Sequence, residues 1–130
     1  MTNQFKEELE NGCKKLNIIL ADRKLFQFFR YYELLLETNK VMNLTAITEE
    51  EEVITKHFVD SLSLVKVLPD LQNGKAFRLM DVGTGGGFPG IPLTIAFPAC
   101  RITLLDLLNK WVKFLADLFW ALELKDIDAF

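Results

Sequence analysis

Residues 80–93 read MDVGTGGGFPGIPL, with five glycines and two prolines in fourteen positions, set between two apolar runs. Glycine at this density, following one apolar run and preceding another, marks a tight turn between a strand and a helix. AFRLMDV (76–82) reads as a short strand, IPLTIAF (91–97) as a short helix, CRITLLD (100–106) as a strand rich in branched residues, and 109–124 as a helix. Strand, turn, helix, strand, helix is the opening of a parallel α/β sheet joined by right-handed crossovers.

Upstream of the turn the pattern is helical. Phe5, Leu9, Cys13, Leu16 and Leu20 recur at spacings of three and four, which predicts one helix over 4–20. Gly12 weakens that helix by about 1 kcal/mol relative to Ala. A second helix is expected after Asp22 as its N-cap, with Leu25, Phe26, Phe29, Tyr32, Leu35 and Leu36 facing the core. Thr48 and Glu51 fit a capping box, and the glutamates at 49–52 suit the positive end of a helix dipole. From Val53 to Leu68, helical spacing directs Val53, Ile54, Phe58, Leu62, Val65 and Leu68 inward. The expected organisation is a helical region over 1–74 followed by an α/β core over 75–130.

A length of 130 residues suits one domain, and a chain that is 50% hydrophobic with 11 Phe is expected to fold. No stretch approaches the roughly 18 uncharged apolar residues of a membrane span. The N-terminus MTNQFKEELE carries acids where a signal peptide carries a basic cap, so a cytoplasmic protein with no membrane partner is expected. Cys13 and Cys100 have no Cys or His at metal-ligand spacing and read as small buried hydrophobes, with no metal site. A net charge of −3 argues against coating nucleic acid through bulk charge. Lys14, Lys15, Arg23, Lys24, Lys40 and Lys56 remain candidates for a local basic face.

The glycine turn lets backbone approach a ligand with no Cβ in the way, at the positive end of a helix. Pro89, read as just inside that helix, suits a position whose N–H has no helical partner. A P-loop requires Gly-Lys-Ser or Gly-Lys-Thr, and Gly87 is followed by Phe88, which excludes it. Gly85 to Gly90 fits G-x-G-x-x-G, so a dinucleotide stays open. Asp81 at the strand end, followed by Gly83, Gly85 and Gly87 at alternating positions, is the arrangement expected for S-adenosylmethionine in Rossmann-like methyltransferases. Asp106, at the end of the next strand, can accept hydrogen bonds from ribose hydroxyls in either case, or cap the following helix.

NLTAI (43–47), KHFVDSL (56–62), DVGTGGGFPGIPL (81–93) and LLD (104–106) together resemble the bacterial 16S ribosomal RNA guanine-N7 methyltransferases, the glucose-inhibited division protein B family. The resemblance runs from about Glu33 to the C-terminus. It implies an N-terminal helical segment followed by the first half of a Rossmann-like S-adenosylmethionine-dependent methyltransferase fold, acting on N7 of a guanine in 16S ribosomal RNA. It further implies that Gly83 and Phe88 contact the cofactor, and that Lys56, His57, Asp60 and Ser61 shape the RNA-facing side, with His57 equally readable as a structural histidine. No catalytic residue is assigned, because guanine N7 already carries an in-plane lone pair and the reaction needs alignment rather than a general base.

Two departures from the family pattern bear on the end of the chain. The sequence stops at LKDIDAF, about where a third strand begins, so part of the family's cofactor pocket is expected to be missing. The resemblance also leads one to expect a Trp at Thr38, a polar residue at Leu107 and a basic one at Trp111. Instead, residues 107–122 are apolar nearly all round, which predicts a helix buried on two sides. This reads as a truncated or redesigned fragment that has lost catalysis, its apolar C-terminal helix covering the bared surface or forming a homo-oligomer, or as a natural partial chain.

Overall fold

The computed structural model describes residues 1–74 and 76–130. Helices α1 (Asn3–Lys14) and α2 (Asp22–Met42) come first. A third helical rod follows: α3 (Glu50–Glu52), a π-helical stretch Val53–Val59, α4 (Asp60–Leu62) and a 3-10 turn Ser63–Lys66. After a 3-10 turn at Pro69–Asn73 come β1 (Phe77–Val82), α5 (Gly90–Ala96), β2 (Cys100–Leu105), α6 (Asn109–Ala121) and β3 (Ile127–Ala129). The sheet is parallel throughout in the order β1-β2-β3, with Leu79 opposite Ile102 and Ile102 opposite Ile127. The boundary expected at 74/75 falls on Lys75, which lies outside the described residues.

Both crossovers travel the same way along the sheet, so right-handed connections place α5 and α6 on one face. Burial alternates accordingly: Cys100, Ile102 and Leu104 are buried, whereas Arg101 is exposed. On β1 Asp81 is buried while Met80 and Val82 face water. All seven residues of α5 are buried, because the helix lies between the sheet and the helices α2 and α4. One continuous core therefore joins the helical half to the sheet, with Phe5, Phe28, Tyr31 and Phe58 among its largest fully buried side chains.

Several elements differ from the sequence reading. Helix α1 is capped by the Thr2 side chain, which accepts from the Phe5 N–H at 3.1 Å, and ends at Lys14 rather than 20. Leu16 and Leu20 are still buried, but from a connection in which Asn17 is left-handed. Helix α2 begins with Asp22 itself, after Ala21 as N-cap, and buries Leu25, Phe28, Tyr31 and Leu35. Phe26 is exposed, and Phe29, Tyr32 and Leu36 are only half-buried. The cause is that apolar residues pair along this helix (25–26, 28–29, 31–32, 34–36), so two adjacent stripes satisfy the same period.

The capping box does not form: α3 starts at Glu50 after Glu49, with no side-chain cap. Leu68 ends partly exposed, whereas the other five inward positions of that rod are buried. Pro89 is the N-cap of α5 rather than a residue of its first turn. Helix α6 buries one face only, through Phe114, Leu115 and Leu118, and Trp120 stands out at 87% exposure. The helix buried on two sides is α5.

Candidate functional site

Strand β1 delivers Asp81 to the start of the glycine turn, and β2 delivers Asp106 beside it. Asp81 Oδ2 accepts from the Thr84 hydroxyl at 2.7 Å and from the Gly90 N–H at 3.0 Å. The carboxylate thus pins the end of β1 to the N-terminus of α5. Burial pushes its pKa up, while the Thr84 and Gly90 bonds act in the opposite sense. Asp106 Oδ2 accepts from Gly85 N–H at 2.9 Å, and Oδ1 accepts from Leu108 N–H at 3.2 Å, just before α6. Each Asp106 oxygen keeps a further lone pair after these bonds, whereas Asp81 Oδ2 is filled.

The turn holds its own shape. Gly83 and Thr84 N–H groups donate to the Leu105 carbonyl at 2.9 and 3.1 Å. Those of Gly87 and Phe88 donate to the Thr84 carbonyl at 3.0 and 3.2 Å, and that of Ile91 to Gly87 at 2.8 Å. The fully buried Tyr31 hydroxyl donates to the Gly86 carbonyl. Among the described residues, only the Gly86 N–H in this turn has no partner. The turn therefore offers a ligand shape and carbonyl edges far more than a row of free N–H donors.

The glycines divide into two groups by surroundings. A Cβ at Gly83 or Gly85, both at positive φ (73° and 56°), would meet nothing within 4 Å. A Cβ at Gly87 would lie 2.6 Å from Ile91 Cδ1 and 2.8 Å from the Tyr31 oxygen, and one at Gly90 would lie 2.2 Å from Leu104 Cδ2. Gly83 and Gly85 face open space beside Asp106, while Gly87 and Gly90 let α5 close onto the sheet.

Phe88 packs against the helical half. Its ring stacks on Tyr31 (5.5 Å, 21°) and on His57 (4.2 Å, 8°), forming a column that ends at the half-buried imidazole. Thr45 Oγ1 lies 2.9 Å from His57 Nε2 and accepts from the Ile47 N–H at 3.0 Å. The NLTAI segment is thereby tied to KHFVDSL: Asn43 provides the left-handed C-cap of α2, and Thr45 holds His57. Burial pulls the His57 pKa below its ordinary value, with Asp60 opposing the shift. The Ser61 hydroxyl donates to the His57 carbonyl, so it braces the π-helical turn.

Other candidates are drawn into the structure. Lys24 donates to the Ala96 carbonyl at 2.9 Å, Arg23 lies 3.5 Å from Glu123, and Lys56 lies 3.3 Å from Glu52. Cys13 and Cys100 are buried, and burial pushes the Cys13 thiol up to about 12. Sequence reasoning missed Tyr31, Thr84 and Thr45 as residues that fix the site. Only Thr84 had a visible signal, a hydroxyl between two glycines directly after a strand-end acid.

The family model described as rRNA small subunit methyltransferase G (GidB) matches residues 24–130. The chain belongs to this family. Similar curated proteins carry the name ribosomal RNA small subunit methyltransferase G. The one from Alkaliphilus metalliredigens is 48% identical over 125 residues, covering 96% of this chain and 51% of that protein. Those from Lachnoclostridium phytofermentans and Ligilactobacillus salivarius are 52% and 49% identical, over 91% and 93% of this chain and 48% and 50% of their own lengths. The chain thus spans about half the length of these relatives, and that half contains the glycine turn and both strand-end acids.

Proposed function

We propose that this chain supplies the S-adenosylmethionine-binding half of a cytoplasmic methyltransferase that modifies N7 of a guanine in 16S ribosomal RNA. The observation that carries this reading is the open space over Gly83 and Gly85 beside the Asp106 carboxylate. A Cβ would fill that cradle, and a ribose needs an acceptor such as Asp106 at its rim. In this reading Gly83 and Gly85 admit the cofactor, and Asp106 takes its ribose hydroxyls while still holding Gly85. Asp81, Gly87 and Phe88 act by fixing the turn. No helix of the described residues is long and apolar enough to cross a membrane.

Held by Gly83, Gly85 and Asp106, S-adenosylmethionine would supply an activated methyl group for guanine N7. Since N7 needs no deprotonation, the protein's contribution is orientation, a term that reaches roughly 7–11 kcal/mol in well-aligned systems. Calorimetric titration with S-adenosylhomocysteine tests the reading. Binding that is present in the parent chain and lost in Gly85→Val supports it. No heat from the parent chain at millimolar ligand overturns it for this chain.

A further inference from the structure

Helices α2 and α6 run antiparallel. The start of α2 meets the end of α6 through Gln27 Nε2, which donates to the Leu122 carbonyl at 2.8 Å, and through the Arg23–Glu123 pair at 3.5 Å. Farther along, the two helices leave a cleft of about 440 Å³ between them. Its α2 wall is Leu34, Thr38 and Met42, spaced by four and hence one stripe, and its α6 wall includes Phe114 and Leu118. A small hydroxylated residue between two long apolar ones leaves the middle of that wall unfilled. Thr38 is also where the family pattern leads one to expect Trp, so the group this stripe lacks is an indole. Four exposed charged residues stand at the rim, Glu37, Lys110, Lys113 and Asp117, and none enters a described ion pair.

We propose that this cleft is a binding site for a neutral, planar bicyclic aromatic of the indole class. The ring packs on Leu34, Met42, Phe114 and Leu118 over Thr38, and its single N–H donates to the Glu37 carboxylate. The Lys110 and Lys113 ammonium groups, one turn apart on α6, meet the electron-rich ring face, and indole is the aromatic that attracts a cation most strongly. Two cations and two anions leave the rim with no net charge, which selects an uncharged ring over an ionised one. The volume falls within the range of about 300–1,000 Å³ usual for small-molecule sites, and gaps lined by Leu and Phe side chains are ones that small aromatics enter. None of the lining residues takes part in the hydrogen bonds that fix the glycine turn, so the site is separate from the proposed cofactor cradle and does not depend on it.

The chain has 3 methionines, so Met42 reports on the cleft while Met80, on the bare face of the sheet, is an internal control. The experiment is an NMR titration of methyl-labelled methionine with indole and with benzofuran, which has the same shape and no N–H. Indole at millimolar concentration is expected to shift Met42 and leave Met80 in place. Benzofuran binds several-fold more weakly, and Glu37→Leu brings the two to parity. Thr38→Trp abolishes indole binding and raises the thermal midpoint, because its own ring fills the gap. Thr38→Leu, a milder filling, weakens indole several-fold and serves if the larger residue disturbs the fold. No Met42 shift at millimolar indole, equal shifts at Met42 and Met80, benzofuran binding as tightly as indole, or undiminished binding in the Thr38 variants overturns the site. A Met42 signal that moves with protein concentration alone, and stays fixed in Trp120→Lys, would assign the cleft to a second copy and overturn it as well. S-adenosylhomocysteine should leave bound indole in place; displacement would merge the two sites and overturn an independent one.

Discussion

At Gly85 and Gly90, five residues apart in one turn, the same added methyl group meets opposite fates. Gly90→Ala drives a Cβ to 2.2 Å from Leu104 Cδ2, an overpacking expected to cost about 1–3 kcal/mol in urea unfolding. Gly85→Ala meets no atom and carries only the strain of a positive φ, about 1–2 kcal/mol, yet it intrudes into the proposed cradle. Cofactor affinity should therefore fall in Gly85→Ala by more than its stability loss explains; equal affinity in the two variants would contradict the division of the glycines. Tyr31→Phe removes the donor to the buried Gly86 carbonyl and keeps the ring in its stack. Leaving that acceptor unpaired is expected to cost about 1–3 kcal/mol, measured by the same unfolding experiment, and to loosen the turn. His57 sets a pH dependence. Its folded pKa is lowered from 6.5, chiefly by burial, so below 6.5 the unfolded chain takes up a proton that the folded state resists. Stability should decline as pH falls from 6.5 toward the folded value and be unaffected by this group above 6.5. His57→Gln should flatten that part of the stability–pH curve.

At the scale of elements, α1 shows how a local cost can be a packing requirement. In an isolated helix Gly12→Ala gains about 1 kcal/mol. Here the new Cβ would lie 2.5 Å from Val59 Cγ2, and a β-branched side chain has little freedom to move aside. Gly12→Ala should thus destabilise the protein, and Val59→Ala should rescue it; additive losses in a double-mutant cycle would show that the two residues do not collide. The same contrast explains what could be read from the sequence. The strand, glycine turn, helix, strand order was legible because glycine and branched residues punctuate it sharply, and the three site positions Asp81, Gly85 and Asp106 follow from that order. The buried side of α2 was not legible, because paired apolar residues give two stripes of equal period and only docking against Phe58 and α5 chooses between them. Nor could the sequence show that Gly87 packs against Ile91 and Tyr31 while Gly83 and Gly85 face open space. Alternation along a turn carries no periodicity, and the directions are set by the long-range bonds from Tyr31 and Asp106.

For the molecule as a whole, the decisive feature is that its sheet is covered on one face. Parallel sheets are ordinarily buried on both, yet here Arg78, Met80, Val82 and Arg101 look outward, with Met80 and Val82 at 61% and 74% exposure. An Arg101–Asp128 pair at 3.9 Å bridges β2 and β3 on this face, and among the described residues no ion pair shields β1. β1 is also an edge strand, hydrogen-bonded to β2 on one side only. Helix α6, by contrast, spends its apolar stripe on the chain's own core, which leaves Trp120 as an isolated exposed ring. If copies of this chain associate, the physical drive lies at β1 rather than at the C-terminal helix. Sedimentation velocity over a concentration series is expected to show a mass that rises with concentration. The double substitution Met80→Lys and Val82→Lys should hold the chain monomeric, because two cations on adjacent outward positions cannot be buried against their own copies without a large desolvation cost. Trp120→Lys should leave the association unchanged. Association abolished at Trp120 and untouched at β1 would instead place the contact on α6, and a monomer at every concentration would show that the bare face tolerates water.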